Sequence, residues 1–302
     1  MKKGILFAVL TAILFATLEP VSAEISGNVS PFAITFWRFI IGGLMLLPFS
    51  IIKIKKGNIK MGLKDFGIVA LLGIFFICVS MITLQIGVGK AKASGFNPAI
   101  VAIIFSSNAI FTILFSLVIL KDKLTLNKII ALLLGVCGVL LCSDLSKGAN
   151  MESVIYALVA ALSFSLYTVL SKKFMTKFGG IIQTGFGFVI GSVALLAFMV
   201  VMGFVNPMDA SYNILPNIWN TNLVLVLVYL GIFVTGLGYL FYFKGMEHGG
   251  ALMASLAFFI KPVLTPFVAL VVNGIAPDWK VFAAVACIVG ASYFATYRKA
   301  KN

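Results

Sequence analysis

Apolar residues in this chain come in long runs, not in the short alternation of a strand or the one-sided stripe of a soluble helix. Ten runs can be marked off: 4–23, 31–52, 66–89, 95–119, 127–143, 152–171, 180–203, 222–243, 250–273 and 280–297. Each is close to the roughly 20 residues that a helix needs to cross the hydrocarbon core of a bilayer. Most links are short, and the longer one, Asn206 to Thr221, carries Trp219, which suits a membrane–water interface. The pattern predicts an all-α membrane protein with ten transmembrane helices.

Basic residues between the runs are distributed unequally. Seventeen Lys and Arg, among them Lys53, Lys56, Lys172, Lys244 and Arg298, fall on the side of the N-terminus, against Lys90, Lys92, Lys147 and Lys280 on the other. The positive-inside bias then places both termini in the cytoplasm, with the chain in the cell membrane. One span too many or too few would scramble this asymmetry. It also accounts for a net charge of +14, which in a soluble chain would suggest nucleic acid. Composition agrees, since 61% hydrophobic and 11% charged residues exceed what a soluble domain can bury. Cys78, Cys137, Cys142 and Cys287 lie in apolar runs without metal-ligand spacing and read as buried small hydrophobes. Lys2-Lys3, an apolar run and Val21-Ser22-Ala23 imitate a secretory signal, but the duplication described next needs this segment as a retained helix.

Ile5–Ser22 aligns without gaps on Val154–Ser171, pairing Ala8 with Ala157, Ala12 with Ala161, Phe15 with Phe164 and Ser22 with Ser171. Leu72-Gly73-Ile74-Phe75 in the third run recurs as Leu230-Gly231-Ile232-Phe233 in the eighth. Five spans per half is an odd number, so the halves cross in opposite senses. The expectation is two inverted five-helix repeats, residues 1–146 and 147–302, with a site at their interface.

Three charges interrupt the runs: Glu19, Arg38 and Lys261. At 1.5 Å per residue they lie about 22, 10 and 16 Å along their spans, all in the central-to-outer part of the membrane. An ionisable group at that depth costs several kcal/mol unless it is paired or wetted, which makes it a functional candidate. Pro20 follows Glu19 at once and should kink or interrupt the helix. The expectation is a solvent-reachable chamber centred on Glu19, or a structural salt bridge there. Arg38 has a fork that suits carboxylate or phosphate, or a link between helix ends and carbonyls. Lys261-Pro262 with Thr265-Pro266 predicts a discontinuous ninth span, and Asn97-Pro98 either its counterpart or a helix start. Phe15, Trp37, Phe164, Tyr167, Thr168 and Tyr239 are candidate wall residues, Thr168 because it aligns with Glu19. His248, beside Gly249-Gly250, reads as a solvated turn.

Several stretches resemble the drug/metabolite transporter superfamily in its EamA-type ten-helix form. Ser30-Pro31-Phe32-Ala33-Ile34-Thr35-Phe36-Trp37-Arg38-Phe39 is similar to the family's start of helix two. Lys121-Asp122-Lys123-Leu124-Thr125 stands where the family has Gly-Glu-Arg-Leu-Thr, before Gly135 and Gly138. Lys261-Pro262-Val263-Leu264 resembles its Glu-Pro-Val segment. Departures are Phe15-Ala16 for Trp-Gly, Ser107-Asn108 where a proline is usual, Lys261 for Glu, and Asn273-Gly274-Ile275 without a second Leu-Gly-Glu. The resemblance implies a carrier, in a family that moves amino acids, metabolites, nucleotide-linked compounds or drugs.

The residues themselves contain no phosphate-cradling loop, nucleophile elbow or metal motif, which argues against an ATP-driven pump or an enzyme and implies no cofactor. The function expected is a proton-coupled or exchanging exporter of small polar metabolites such as amino acids. The alternatives are uptake or exchange of organic cations or nucleotide-linked metabolites, or a passive channel. The partners expected are a small-molecule substrate, the lipid bilayer and protons, in a monomer or homodimer.

Overall fold

A computed structural model describes residues 2–119, 121, 125–142, 151–174, 178–214 and 220–296. Asp122 to Leu124, Lys147, Lys177, Trp219 and the stretch from Arg298 onward lie outside them. Among the described residues there is no strand. The first apolar run forms α1 (Lys2–Ala16) and α2 (Leu18–Ile25). The interruption expected at Pro20 falls one turn earlier, at Thr17. Pro20 has no N–H to give the Ala16 carbonyl, so the preceding turn loosens. Thr17 N–H and hydroxyl both bond Leu14 O, at 3.3 and 2.7 Å.

The chain continues through α3 (Pro31–Lys56) and α4 (Leu63–Phe75), which passes by a π-helical turn, Phe76–Met81, into α5 (Ile82–Ala93). Ser30 caps α3 by accepting a hydrogen bond from Ala33 N–H at 3.1 Å. Next come α6 (Ala99–Ser106), α7 (Asn108–Ile119), α8 (Leu126–Cys142), α9 (Met151–Phe174) and α10 (Gly180–Val205). A second π segment, Leu230–Leu237, joins α11 (Thr221–Tyr229) to α12 (Gly238–Asn273), and α13 (Trp279–Thr296) follows. Among the described residues, six helical stretches are long and apolar enough to cross a membrane: Lys3–Ile25, Pro31–Lys56, Leu63–Ala93, Met151–Ser171, Gly180–Val205 and Thr221–Gly245. Ile260–Asn273 and Trp279–Ala291 are shorter apolar helices.

Three sequence expectations need correction here. The runs 222–243 and 250–273 are not parted by a loop, because α12 is helical from Gly238 to Asn273. Its contacts show that it nevertheless turns back. Phe7 of α1 lies against both Phe241 and His248, whereas Lys261 and Asn273 meet Glu19 and Pro20 at the far end of α2. A straight rod cannot make both sets of contacts. The reversal falls between His248 and Lys261. His248 is therefore helical, with Nδ1 2.9 Å from Lys244 O. Pro262 and Pro266 lie inside α12 without breaking it, and Pro98 is the residue preceding α6, a helix start. Finally, Cys137 is exposed and Cys78 and Cys287 are half-buried, with Cys78 Sγ donating to Gly191 O of α10 at 3.8 Å.

α1 packs along α12, α3 along α10, α5 along α9 and α8 along α13. Glycines set the closest of these approaches. A Cβ on Gly73 would fall 2.3 Å from Gly187 O, and one on Gly191 2.5 Å from Gly73 O, so α4 and α10 touch backbone to backbone. A Cβ on Gly42 would meet the Thr235 side chain at 2.6 Å and Gly231 O at 3.1 Å, joining α3 to the second π segment. Lipid tails are as apolar as leucine, so such close contact supplies much of the cohesion. At the centre sit Phe39, Phe76 and Phe188, each fully buried, while Leu71, Phe204 and Val271 cover the outside.

This packing distinguishes two glycines of one helix. Gly73→Ala should lower the thermal midpoint of the purified protein, since overpacking costs about 1–3 kcal/mol. Gly67→Ala, with open space around it, should leave the midpoint unchanged or raise it slightly, as Ala is the better helix former by about 1 kcal/mol. Equal responses would contradict the α4–α10 contact.

Candidate functional site

Glu19 lies in the first turn of α2, where the helix N-terminus favours negative charge. Its side chain is 0% exposed, and Lys261 Nζ, 4% exposed, donates to Oε1 at 2.6 Å. The ammonium also sits 5.5 Å above the ring of Phe105 in α6. Glu19 Oε2 has no hydrogen-bond partner. The pair is therefore half finished: one carboxylate oxygen is strongly bonded, and the other is sealed in without a donor.

Arg38, from α3, is equally buried. Its guanidinium stacks 4.5 Å over the Phe39 ring, and Nη2 reaches Met81 Sδ at 3.4 Å, while Nε is unpartnered. Glu19 and Tyr239 are its electrostatic neighbours. Three further buried atoms lack partners, Gln85 Nε2, Ser107 Oγ and Asn273 Oδ1. Gln85 stands one helical turn beyond Met81 on α5, and Ser107 fills the break between α6 and α7, two residues after Phe105. Sequence reasoning missed both, although an amide inside the apolar run 66–89 was a signal of the same kind as Glu19.

The aromatic candidates divide. Phe164 packs on Phe105 and Phe76, at 5.2 and 5.9 Å between ring centres, and Tyr167 stacks on Phe76 at 4.5 Å. Tyr239 lies 5.1 Å from Phe15 and 5.0 Å from Phe188. Phe39, the platform of Arg38, contacts Phe76 and Phe188 at 5.5 and 4.7 Å. One chain of rings thus runs from beneath Lys261 to Phe15 and Tyr239, through Phe105, Phe39, Phe76 and Phe188, which sequence reasoning did not single out. Trp37 and Thr168 are elsewhere. Trp37 Nε1 donates to Ile214 O at 2.9 Å, pinning the loop after α10, and Thr168 donates to Phe164 O in its own helix at 2.8 Å.

The expected chamber around Glu19 is closed in this arrangement. Glu19, Arg38 and Lys261 are 0%, 3% and 3% exposed. Beyond Glu19, Glu24 Oε1 accepts from Lys92 Nζ at 2.8 Å and from Asn273 Nδ2 at 2.5 Å, tying α2, α5 and α12 together. Asn273 Nδ2 also bonds Pro20 O at 3.1 Å. A cavity of about 520 Å³ lies instead at the lysine-rich end, bordered by Lys53, Lys56 and Lys244. Among the described residues, no group of three or more His, Cys, Asp or Glu is placed to hold a metal. Chemically, the buried groups can take a proton at Glu19 Oε2, or a molecule that offers both a donor to that oxygen and an acceptor to Arg38.

Known proteins resemble the chain along nearly all of its length. The EamA-like transporter family matches residues 2–143 and, a second time, residues 151–297. An uncharacterized transporter of Clostridium kluyveri is 35% identical over 284 residues, covering 91% of this chain and 86% of that one. An S-adenosylmethionine uptake transporter of Rickettsia prowazekii is 21% identical over 300 residues, covering 99% and 94%. A crystal structure at 20% identity superposes with a TM-score of 0.64 over 98% of this chain and 97% of that one, a likeness of fold. With its apolar helices, the chain is a multi-pass membrane protein of the transporter class, and it belongs to the EamA-like transporter family of the drug/metabolite transporter superfamily.

Proposed function

We propose that this chain is a secondary carrier that exports small polar metabolites such as amino acids by alternating access, coupled to protons or by exchange. It crosses the cell membrane ten times, with both termini cytoplasmic, as two inverted repeats, residues 1–146 and 147–302. The observation that carries this reading is the sealed Glu19–Lys261 pair with one carboxylate oxygen unmatched. Leaving a buried acceptor unpaired costs about 1–3 kcal/mol. A ligand that supplies the missing donor recovers that energy. Arg38 and Lys261 against one acid leave a positive excess, so the complementary ligand carries a carboxylate with its ammonium. Protonating Glu19 removes the attraction that holds Lys261, which gives the site a second state.

Glycine contacts support the repeats. Gly42 stands to Gly191 in the register that matches Ile5–Ser22 with Val154–Ser171, and Gly73 with Ile77 to Gly231 with Thr235 in the register of Leu-Gly-Ile-Phe. Gly42 faces Gly231 and Thr235, and Gly191 faces Gly73 and Ile77, so one contact occurs twice with the halves exchanged. Glu19 and Lys261 come from opposite halves, which supports a site at their interface.

A second reading has a specific observation behind it. The Rickettsia relative is named for uptake of S-adenosylmethionine, a cation with an amino-acid end and a flat base, and the rings of Phe76, Tyr167, Phe188 and Tyr239 offer stacking faces.

In proteoliposomes supplied with a radiolabelled amino-acid mixture, Glu19→Gln should abolish accumulation driven by a pH gradient and retain counterflow. Undiminished proton-driven uptake removes the coupling role, and absence of saturable counterflow in the unaltered protein removes the carrier itself. For stability, Glu19→Gln or Lys261→Met alone should cost about 3–5 kcal/mol, because each strands a buried charge. The double variant should be closer to the unaltered protein than either single one in a thermal melt. Additive losses would show that the two groups do not interact.

A further inference from the structure

We propose that Gln85 is a substrate-binding residue of the buried site, and that with Arg38 it grips the carboxylate of the transported molecule. The proposal rests on the carrier reading above and adds to it the residue that recognises the anionic end. Gln85 is 2% exposed, and its amide nitrogen has no hydrogen-bond partner. A buried amide left unmatched is rare in a folded protein, because it has given up water for nothing. Where it points follows from its neighbours on α5. A Cβ on Gly87 would lie 3.3 Å from both Ser153 O and Tyr156 Cβ, so one face of α5 rests on α9. The adjoining face meets α3 and α2. Met81 Sδ accepts from Arg38 Nη2 at 3.4 Å, a Cβ on Gly89 would lie 3.8 Å from Ser26 Cβ, and Lys92 Nζ donates to Glu24 Oε1 at 2.8 Å. At about 100° per residue, Gln85 stands about 40° from Met81, between Lys92 and Gly89 around the helix axis. It therefore faces α2 and α3, not α9.

Depth places it with the other unmatched groups. α2 and α5 meet near their C-terminal ends, through Ser26 with Gly89 and Glu24 with Lys92. Glu19 and Ser26, seven residues apart, share one face of α2. Counting back from the contact, Glu19 lies about 10 Å before Ser26 and Gln85 about 6 Å before Gly89, so their levels differ by less than about one turn. Arg38, joined to Met81 one turn before Gln85, has Glu19 among its electrostatic neighbours. The acceptor that Arg38 meets among the described residues is the Met81 thioether, a weak one. Two donors, Arg38 Nε and Gln85 Nε2, thus lack an acceptor, while Glu19 Oε2 lacks a donor. That inventory complements a molecule with a carboxylate at one end and an ammonium at the other. Arg38 supplies the charge, and the neutral amide adds a directed hydrogen bond without a second cation to bury. Met81 Sδ holds the guanidinium in place until the carboxylate takes over its hydrogen bond.

The test measures counterflow of the radiolabelled amino-acid mixture in proteoliposomes, alongside thermal melts of the detergent-purified full chain without substrate. Gln85→Leu should raise the half-saturating concentration roughly ten- to a hundredfold, the contribution of one hydrogen bond to a charged group. It should also raise the substrate-free melting temperature by a few degrees, because an unmatched buried amide is gone. Gln85→Glu offers Arg38 a tethered carboxylate, so it should melt later too and lose counterflow altogether. In the unaltered protein, amides of the same amino acids keep the ammonium but lack the carboxylate, and should compete poorly with the mixture. An unchanged half-saturation in Gln85→Leu, or counterflow retained in Gln85→Glu, would overturn the proposal and leave the carrier standing. Competition by the amides equal to that of the acids would do the same. Saturable counterflow missing from the unaltered protein would instead remove the carrier reading, and this inference with it.

Discussion

A carboxylate and an ammonium 2.6 Å apart, buried at 0% and 4% side-chain exposure, set the terms on which α2 and α12 meet. Either charge alone at that depth is too expensive to keep, and together they are tolerable only if the helices that carry them stay in register. α2 and α12 are therefore bound to one geometry, and their neighbours are arranged around it. Phe105 gives the ammonium a ring face, Thr265 bonds the Lys261 carbonyl at 2.8 Å, and the Glu24 cluster fixes the next turn outward. The bond is strong but its surroundings are unfinished, since Glu19 Oε2 has no donor.

Around the pair, glycine contacts recur while charges do not. Glycine-to-helix contacts recur between α3 and the second π segment and between α10 and α4. The charged positions do not recur. Glu19 aligns with Thr168, which bonds only its own helix, and Arg38 in the same register stands opposite Gly187, which is pressed against Gly73.

Much of this could be read from the residues. Hydrocarbon thickness imposes run length, and the cost of intramembrane charge marks Glu19, Arg38 and Lys261 whatever the fold. The aromatic chain was only half legible, because Phe39, Phe76, Phe105 and Phe188 look like any other phenylalanine among 28 until packing brings them together. Prolines misled for a related reason. Pro20 disturbs the turn that should have received its missing hydrogen bond, so the break appears at Thr17. Pro262 and Pro266 sit in a helix whose neighbours hold it continuous. Closure of the centre was not legible at all, since it depends on how side chains from separate helices pack together.

The paired π turns have a mechanical consequence. Each fits an extra residue into a stretch of helix without changing where its ends are anchored. Expelling that residue and regaining α geometry would spin everything beyond it by about 100° about the helix axis. In the segment Leu230–Leu237 such a twist would carry Tyr239 off Phe15 and Phe188, while the mirrored element Phe76–Met81 would move Met81 away from Arg38. The fold thus holds, on either side of its centre, a rotary joint whose play is one residue.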